Sequence, residues 1–220
     1  MPNTKWKQDF FDKVEEITLN DPLSHILGAQ VDDEPFVFTY KDTVKMAGHS
    51  CPAVSSAYKM TSLALKALYP DSTPVRGNIR VLIKGTVDQL AYGPQSQVFT
   101  FITGASGAAG FKGLQGKYSR NDKLRFDEDF RFCTYIFERI DSNEANNKVV
   151  QVTYDPSKLT EDPRLGEVMP KVLNGTADAK EREEFTTLWQ GKVKQILLSK
   201  IEGLFTVEEL DDFTWHDKDN

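Results

Sequence analysis

The residues best suited to chemistry lie together in the segment Gly48-His49-Ser50-Cys51-Pro52. Proline is favoured at the first position of a helix because its missing N–H would find no partner there, so Pro52 places Cys51 at or next to the N-cap. Free N–H groups and the positive end of the helix dipole stabilise a thiolate at that point. This predicts a pKa for Cys51 below the ordinary value of about 8.5. A thiolate binds metal or attacks carbon. His49, two residues earlier, can turn its ring toward the same side, and imidazole with thiolate suits a borderline divalent ion such as Zn²⁺. Two protein ligands leave the remaining positions to water, a carboxylate, a distant residue or another subunit. The same pair supports a different chemistry, with Cys51 as a nucleophile and His49 as its base. The plain counterpart of both readings is a cysteine that only packs.

Other candidates carry less. Cys133 lies in the apolar run Phe130–Ile136, where core packing is its default role and a distant third ligand its outside role. His25 and His216 read as surface or capping residues, and Asp88 as a turn residue. The segment Gly104–Gly113 is rich in small residues that permit close approach of backbone to a ligand. It lacks the Gly-Lys-Ser/Thr ending of a nucleotide-binding P-loop, and Lys112 within it reads as a solvated lysine. A third function class follows, a module in which aromatic strands and this loop bind a flat small molecule or cofactor. No catalytic residue and no enzyme reaction is assigned from these residues.

Positioning the segment requires a helix directly after it. Val54, Ala57, Tyr58, Thr61, Ala64, Leu65 and Leu68 form one stripe from Pro52 onward, opposite Ser55, Ser56, Lys59, Ser62 and Lys66, and Tyr69-Pro70-Asp71 ends the pattern. Trp6–Ile17 reads as an amphipathic helix and Phe36–Tyr40 as a strand. Further strands are expected at Ile79–Lys84, Val98–Thr103, Phe130–Phe137 and Lys148–Tyr154, with Gly104–Gly113 following the second of these. A long amphipathic helix is expected from Asp178 to Ile201. The acidic tail Glu208–Asn220 is expected to be partly disordered unless Phe213 and Trp215 dock it. The natural assembly is an α+β fold: a mixed β-sheet with helices packed on it, plus a C-terminal helical extension. Residues 1–160 would form the main domain and 161–220 the extension with its tail.

Composition narrows the partners. With 220 residues, 39% of them hydrophobic and 27% charged, the chain can bury a core. A formal charge of -6 offers no electrostatic footprint for nucleic acid or anionic lipid, so neither nucleic acid nor membrane is expected as a partner. The polar first residues lack the apolar core of a signal peptide, no stretch reaches the roughly 20 apolar residues of a membrane span, and only two cysteines occur. These features point to a cytoplasmic protein with reduced thiols.

At Gly48-His49-Ser50-Cys51-Pro52 and the helix carrying Tyr58-Lys59-Met60, the chain resembles the FmdE-like family of metal-binding proteins, named for formylmethanofuran dehydrogenase and with many homologues outside methanogens. The resemblance runs from about Val44 to Tyr154. Val87-Asp88-Gln89, Ile102-Thr103-Gly104 and Lys112-Gly113 are similar to pieces of the family's central segment, separated here by residues that include Tyr92-Gly93-Pro94. The resemblance implies an α+β fold with a mixed sheet, a homodimer, and a divalent metal ion, Zn²⁺ by ligand type, held by His49 and Cys51. Ala105 stands where the family has a cysteine after Thr-Gly, Gly85 or Thr86 where another precedes Val-Asp, and Ala53 where glycine is usual. A third thiolate ligand is therefore missing. The reading is an accessory or sensor protein whose open metal positions accept a small-molecule ligand.

Overall fold

The computed structural model describes residues 3–31, 33–141 and 147–215. Near its start, Trp6–Ile17 does not form the expected helix. Only a 3₁₀ turn, Asp9–Lys13, is present, and Ile17 opens strand β1 (Ile17–Leu19). An aromatic cluster sets this path: Phe10 and Phe11 are both buried, and the Phe11 ring stands edge-on to Trp6 at 5.7 Å, Phe10 at 4.9 Å and Tyr40 at 5.1 Å. After α1 (Pro22–Ile26), strand β2 (Phe36–Phe38) pairs antiparallel with β1, Ile17 opposite Phe38. Tyr40, expected to end that strand, instead begins α2 (Tyr40–Ala47), because Thr39 and Asp42 form a reciprocal capping box.

Helix α3 (Pro52–Leu68) starts and stops where the sequence pattern does. Its whole apolar stripe is buried, but so are Ser55, Ser56 and Ser62 on the side expected to be polar. The helix is enclosed by neighbours on several sides. Ser55 Oγ donates to Cys51 O at 2.9 Å and Thr61 Oγ1 to Ala57 O at 2.7 Å, so these buried hydroxyls are satisfied by carbonyls one turn earlier.

Strand β3 (Ile79–Lys84) buries Ile79, Val81 and Ile83 and leaves Arg80 and Leu82 half-buried, the alternation of a sheet with one face on the core. Val98–Thr103 is not a strand but the end of helix α4 (Tyr92–Thr103). The reason is topological. Strand β4 (Leu124–Asp127) lies parallel to β3, and parallel neighbours need a crossover, which α4 helps to supply. The glycine-rich segment consequently follows a helix, with Gly104 as its left-handed terminal residue. β5 begins at Thr134 rather than Phe130 (β5, Thr134–Arg139), and Phe130 and Phe132 stand exposed before it.

β6 (Val149–Tyr154) leads through helices α5 (Pro163–Leu173) and α6 (Ala179–Leu198) to β7 (Phe205–Glu209). β7 pairs antiparallel with β6, so the five-stranded sheet runs β4-β3-β5-β6-β7, mixed because only β3 and β4 are parallel. This is an α+β fold. Residues 161–215 thus return to the same sheet, Phe205 stacking on Tyr154 at 5.1 Å. Part of the acidic tail is ordered: Glu208 and Glu209 belong to β7, and the Trp215 ring lies 5.4 Å from the guanidinium carbons of both Arg80 and Arg125. His216 lies outside the described residues.

Beside this sheet Lys123 donates to the Gly77 carbonyl. Burial, with the cations Arg120 and Arg80 nearby, brings its pKa from 10.5 down to about 8. The unfolded chain then holds more protons between about pH 8 and 10.5, and the penalty for the buried charge is relieved as pH rises through that window. The stability of Lys123→Met relative to wild type should therefore be most favourable at pH 7 and decline toward pH 10. Urea midpoints at the two pH values check this, and a pH-independent difference contradicts it.

Candidate metal centre

α2 ends at Gly48, whose φ of 75° closes the helix through its N–H to Val44 O, and α3 opens at Pro52. The three residues between these turns carry the candidate chemistry. Cys51 is the N-cap of α3, as the proline rule predicts, and its sulfur accepts the N–H of Val54 at 3.4 Å. It is 9% exposed.

The expected low pKa of this thiol is overturned. Burial pushes the Cys51 thiol up, and the N–H groups of Val54 and Ala53 only partly oppose it. Desolvation penalises the thiolate more than the helix start favours it. In the absence of a cation, Cys51 is a thiol near neutral pH.

His49 is exposed, and its Nδ1 lies 2.9 Å from Ala47 O. A carbonyl only accepts, so Nδ1 is the donor, and in the neutral ring the lone pair is then on Nε2. Imidazole ligands of metals are held in this way, by a hydrogen bond from the nitrogen that does not bind. The segment thus presents an exposed imidazole and, two residues on, a buried sulfur that accepts a backbone N–H. Among the described residues no group of three or more His, Cys, Asp or Glu side chains could hold an ion.

The residues around Ser50 were not legible as part of the site. Tyr40 Oη lies 2.9 Å from Ser50 Oγ, and Ser50 Oγ donates to Gln190 Oε1 at 3.2 Å. Ser50 O accepts Trp189 Nε1–H at 2.9 Å and Gln190 Nε2–H at 3.3 Å. Trp189 appears in the sequence as one position of an apolar stripe, and Gln190 carries no signal.

The FmdE family model, described as "FmdE, Molybdenum formylmethanofuran dehydrogenase operon", matches residues 46–206. The chain belongs to the FmdE family. A search of curated proteins finds no match. The FmdE match runs from the last residues of α2 through α6 into β7, so it includes both candidate ligands and the helix that contacts Ser50.

Among the described residues of this FmdE-family chain, no other candidate ligand joins His49 and Cys51 in a group that could hold an ion. Cys133 is 7% exposed in a left-handed backbone conformation (φ 47°), and burial raises its pKa to about 11, as suits a packed thiol. His25 is on the surface, with its ring 3.0 Å from Glu34 O. Asp88 lies in a turn and Lys112 is exposed. A cavity of about 670 Å³ sits between β3, β4 and the C-terminal segment, lined in part by Lys84, Asp127, Phe213 and Trp215. Neither the glycine-rich loop nor the His49–Cys51 segment lines it. No described helix is long and apolar enough to cross a membrane.

Proposed function

We propose that this FmdE-family protein binds a divalent metal ion, Zn²⁺ by ligand type, through His49 Nε2 and Cys51 Sγ, and serves as an accessory or sensor. The observation that carries this is the hydrogen bond of His49 Nδ1 to Ala47 O, which sets the exposed ring in the ligating tautomer. Cys51 supports it from the other side of Ser50, with a sulfur already accepting a backbone N–H. A bound ion would supply a Lewis-acidic position to a small-molecule ligand. The reading extends to a cytoplasmic homodimer, supported by the family resemblance and by the two reduced-thiol cysteines.

The nucleophile reading is weaker. An attacking cysteine needs an accessible thiolate near neutral pH, and burial pushes Cys51 the other way.

Metal analysis of purified wild type, His49→Ala and Cys51→Ala tests the proposal. Wild type should hold near-stoichiometric ion, and both variants should lose most of it with their folds intact by circular dichroism. Equal metal content in wild type and Cys51→Ala removes the metal reading.

A further inference from the structure

We infer that Arg80 and Arg125, with the cavity beside them, form a binding site for a planar aromatic anion, and that Trp215 of the chain's own C-terminal segment fills the ring position until such a ligand displaces it. The His49–Cys51 segment takes no part, so this site stands independently of the metal reading. β3 and β4 run parallel with Leu82 opposite Arg125, and side chains alternate between the two faces of a strand. Arg80, Leu82 and Arg125 therefore share the face turned away from buried Ile79, Val81 and Ile83. The Trp215 ring lies over the two arginines, with each guanidinium carbon 5.4 Å from its centroid. The cavity of about 670 Å³ adjoins it, with Leu82, Arg125, Phe126, Phe213 and Trp215 in its lining.

Trp215 is an imperfect occupant. Its indole N–H is buried and has no hydrogen-bond partner among the described residues, whereas a docked tryptophan ordinarily satisfies that group. Among the described residues, the last backbone hydrogen bond joining the segment to the sheet is Leu210 N–H to Val149 O at 2.9 Å. Residues 211–215 lie beyond β7, so they can lift without breaking a strand or a helix. The charge around the ring selects the ligand. Burial, with Arg120 and Arg80 nearby, brings the Lys123 pKa down to about 8, the mark of positive charge that carboxylates there do not balance. Arg80 reaches its carboxylate, Glu138, only at 3.5 Å. Of the acids at the cavity, Asp127 and Asp129 already accept from Lys84 Nζ at 2.6 and 2.9 Å, and Glu128 and Asp212 are exposed to water. A guanidinium stacks on a π face and also pairs in its plane with an anionic oxygen group. A ligand carrying both a ring and an acid uses both modes, where the indole uses only the first.

The test is calorimetric titration of the full-length protein with naphthalene-2-sulfonate, and with 2-naphthalenemethanol as the uncharged ring, alongside melting temperatures to confirm folding. Trp215→Ala should bind the sulfonate roughly tenfold more tightly than wild type, because a site open a tenth of the time loses that factor in apparent affinity. Adding Arg80→Ala or Arg125→Ala to Trp215→Ala should remove most of the gain. Arg80→Lys keeps the charge without the planar fork and should fall between the two. The alcohol should bind far more weakly than the sulfonate to every variant. In wild type, the indole N–H resonance that is missing from Trp215→Ala should move to a solvent-exposed position as the sulfonate saturates the site. Equal dissociation constants in wild type and Trp215→Ala, or an indole resonance that does not move, overturn the displacement. No binding to Trp215→Ala, binding undiminished by the arginine substitutions, or equal affinity for sulfonate and alcohol overturns the site itself.

Discussion

Asp21→Ala is expected to lower the free energy of unfolding by about 3–5 kcal/mol, the cost of breaking a buried ion pair from one side. Asp21 is 4% exposed. One of its oxygens accepts Arg120 Nη2 at 2.7 Å and the other Arg76 Nη1 at 3.1 Å, while the N–H of Leu23 at 3.1 Å makes it the N-cap of α1. Burial opposes ionisation, but the two guanidinium groups together outweigh it and hold the carboxyl below the usual carboxylate range. Removing it strands Arg120, itself only 6% exposed, without its counter-charge. Asp21→Asn keeps a side-chain oxygen for the cap and should lose less. Because the folded pKa is depressed, the ionic part is present above the unfolded pKa near 3.8 and is lost as pH falls through the folded value. The gap between wild type and Asp21→Asn should therefore narrow in acid. Urea unfolding at pH 7 and pH 3 measures this, and a gap that persists unchanged at pH 3 contradicts it.

Gly104→Ala should cost more than its backbone alone requires, and the excess should vanish when Arg120 is also removed. Gly104 sits at φ 78°, where a side chain costs about 1–2 kcal/mol. A Cβ there would also stand 2.4 Å from Arg120 Nη1, and the same guanidinium is as close to a Cβ at Gly77. Arg120 is threaded between the end of α4 and the approach to β3, with no room for a methyl group on either side. In an Arg120→Ala background the overlap is gone, so Gly104→Ala should fall back to about the backbone cost. A double-mutant cycle by chemical denaturation reads this coupling. Equal costs in both backgrounds would mean that Arg120 does not occupy that gap.

These two predictions concern a cluster invisible in the sequence. Asp21, Arg76 and Arg120 are far apart along the chain, and each read alone is an ordinary surface-type charge. Only the fold makes them a buried group. The same holds at the candidate site. The place of Cys51 at the N-cap was legible because helix-start chemistry is local: a proline at N1 fixes what precedes it within a residue or two. The anchors of Ser50 were not, because Gln190 lies 140 residues away and nothing in its neighbours marks it. The predicted thiolate failed for a related reason. The dipole of α3 is a local property, but the burial that outweighs it comes from surrounding elements.

Periodicity by itself determined α3 from Pro52 to Leu68, α6, and the strands at Ile79–Lys84 and Val149–Tyr154, since a repeat of 3.6 or 2 is written in the order of residues. The tertiary structure decided the rest. Val98–Thr103 has the composition of a strand but became the end of α4 because β3 and β4 run parallel and the chain must cross between them. Phe205–Glu209 has little to distinguish it from the acidic tail that follows, yet it is a strand because the free edge of β6 offers it backbone partners. Local order sets which shapes a segment can take, and the hydrogen-bonding groups and burial offered by distant segments select among them.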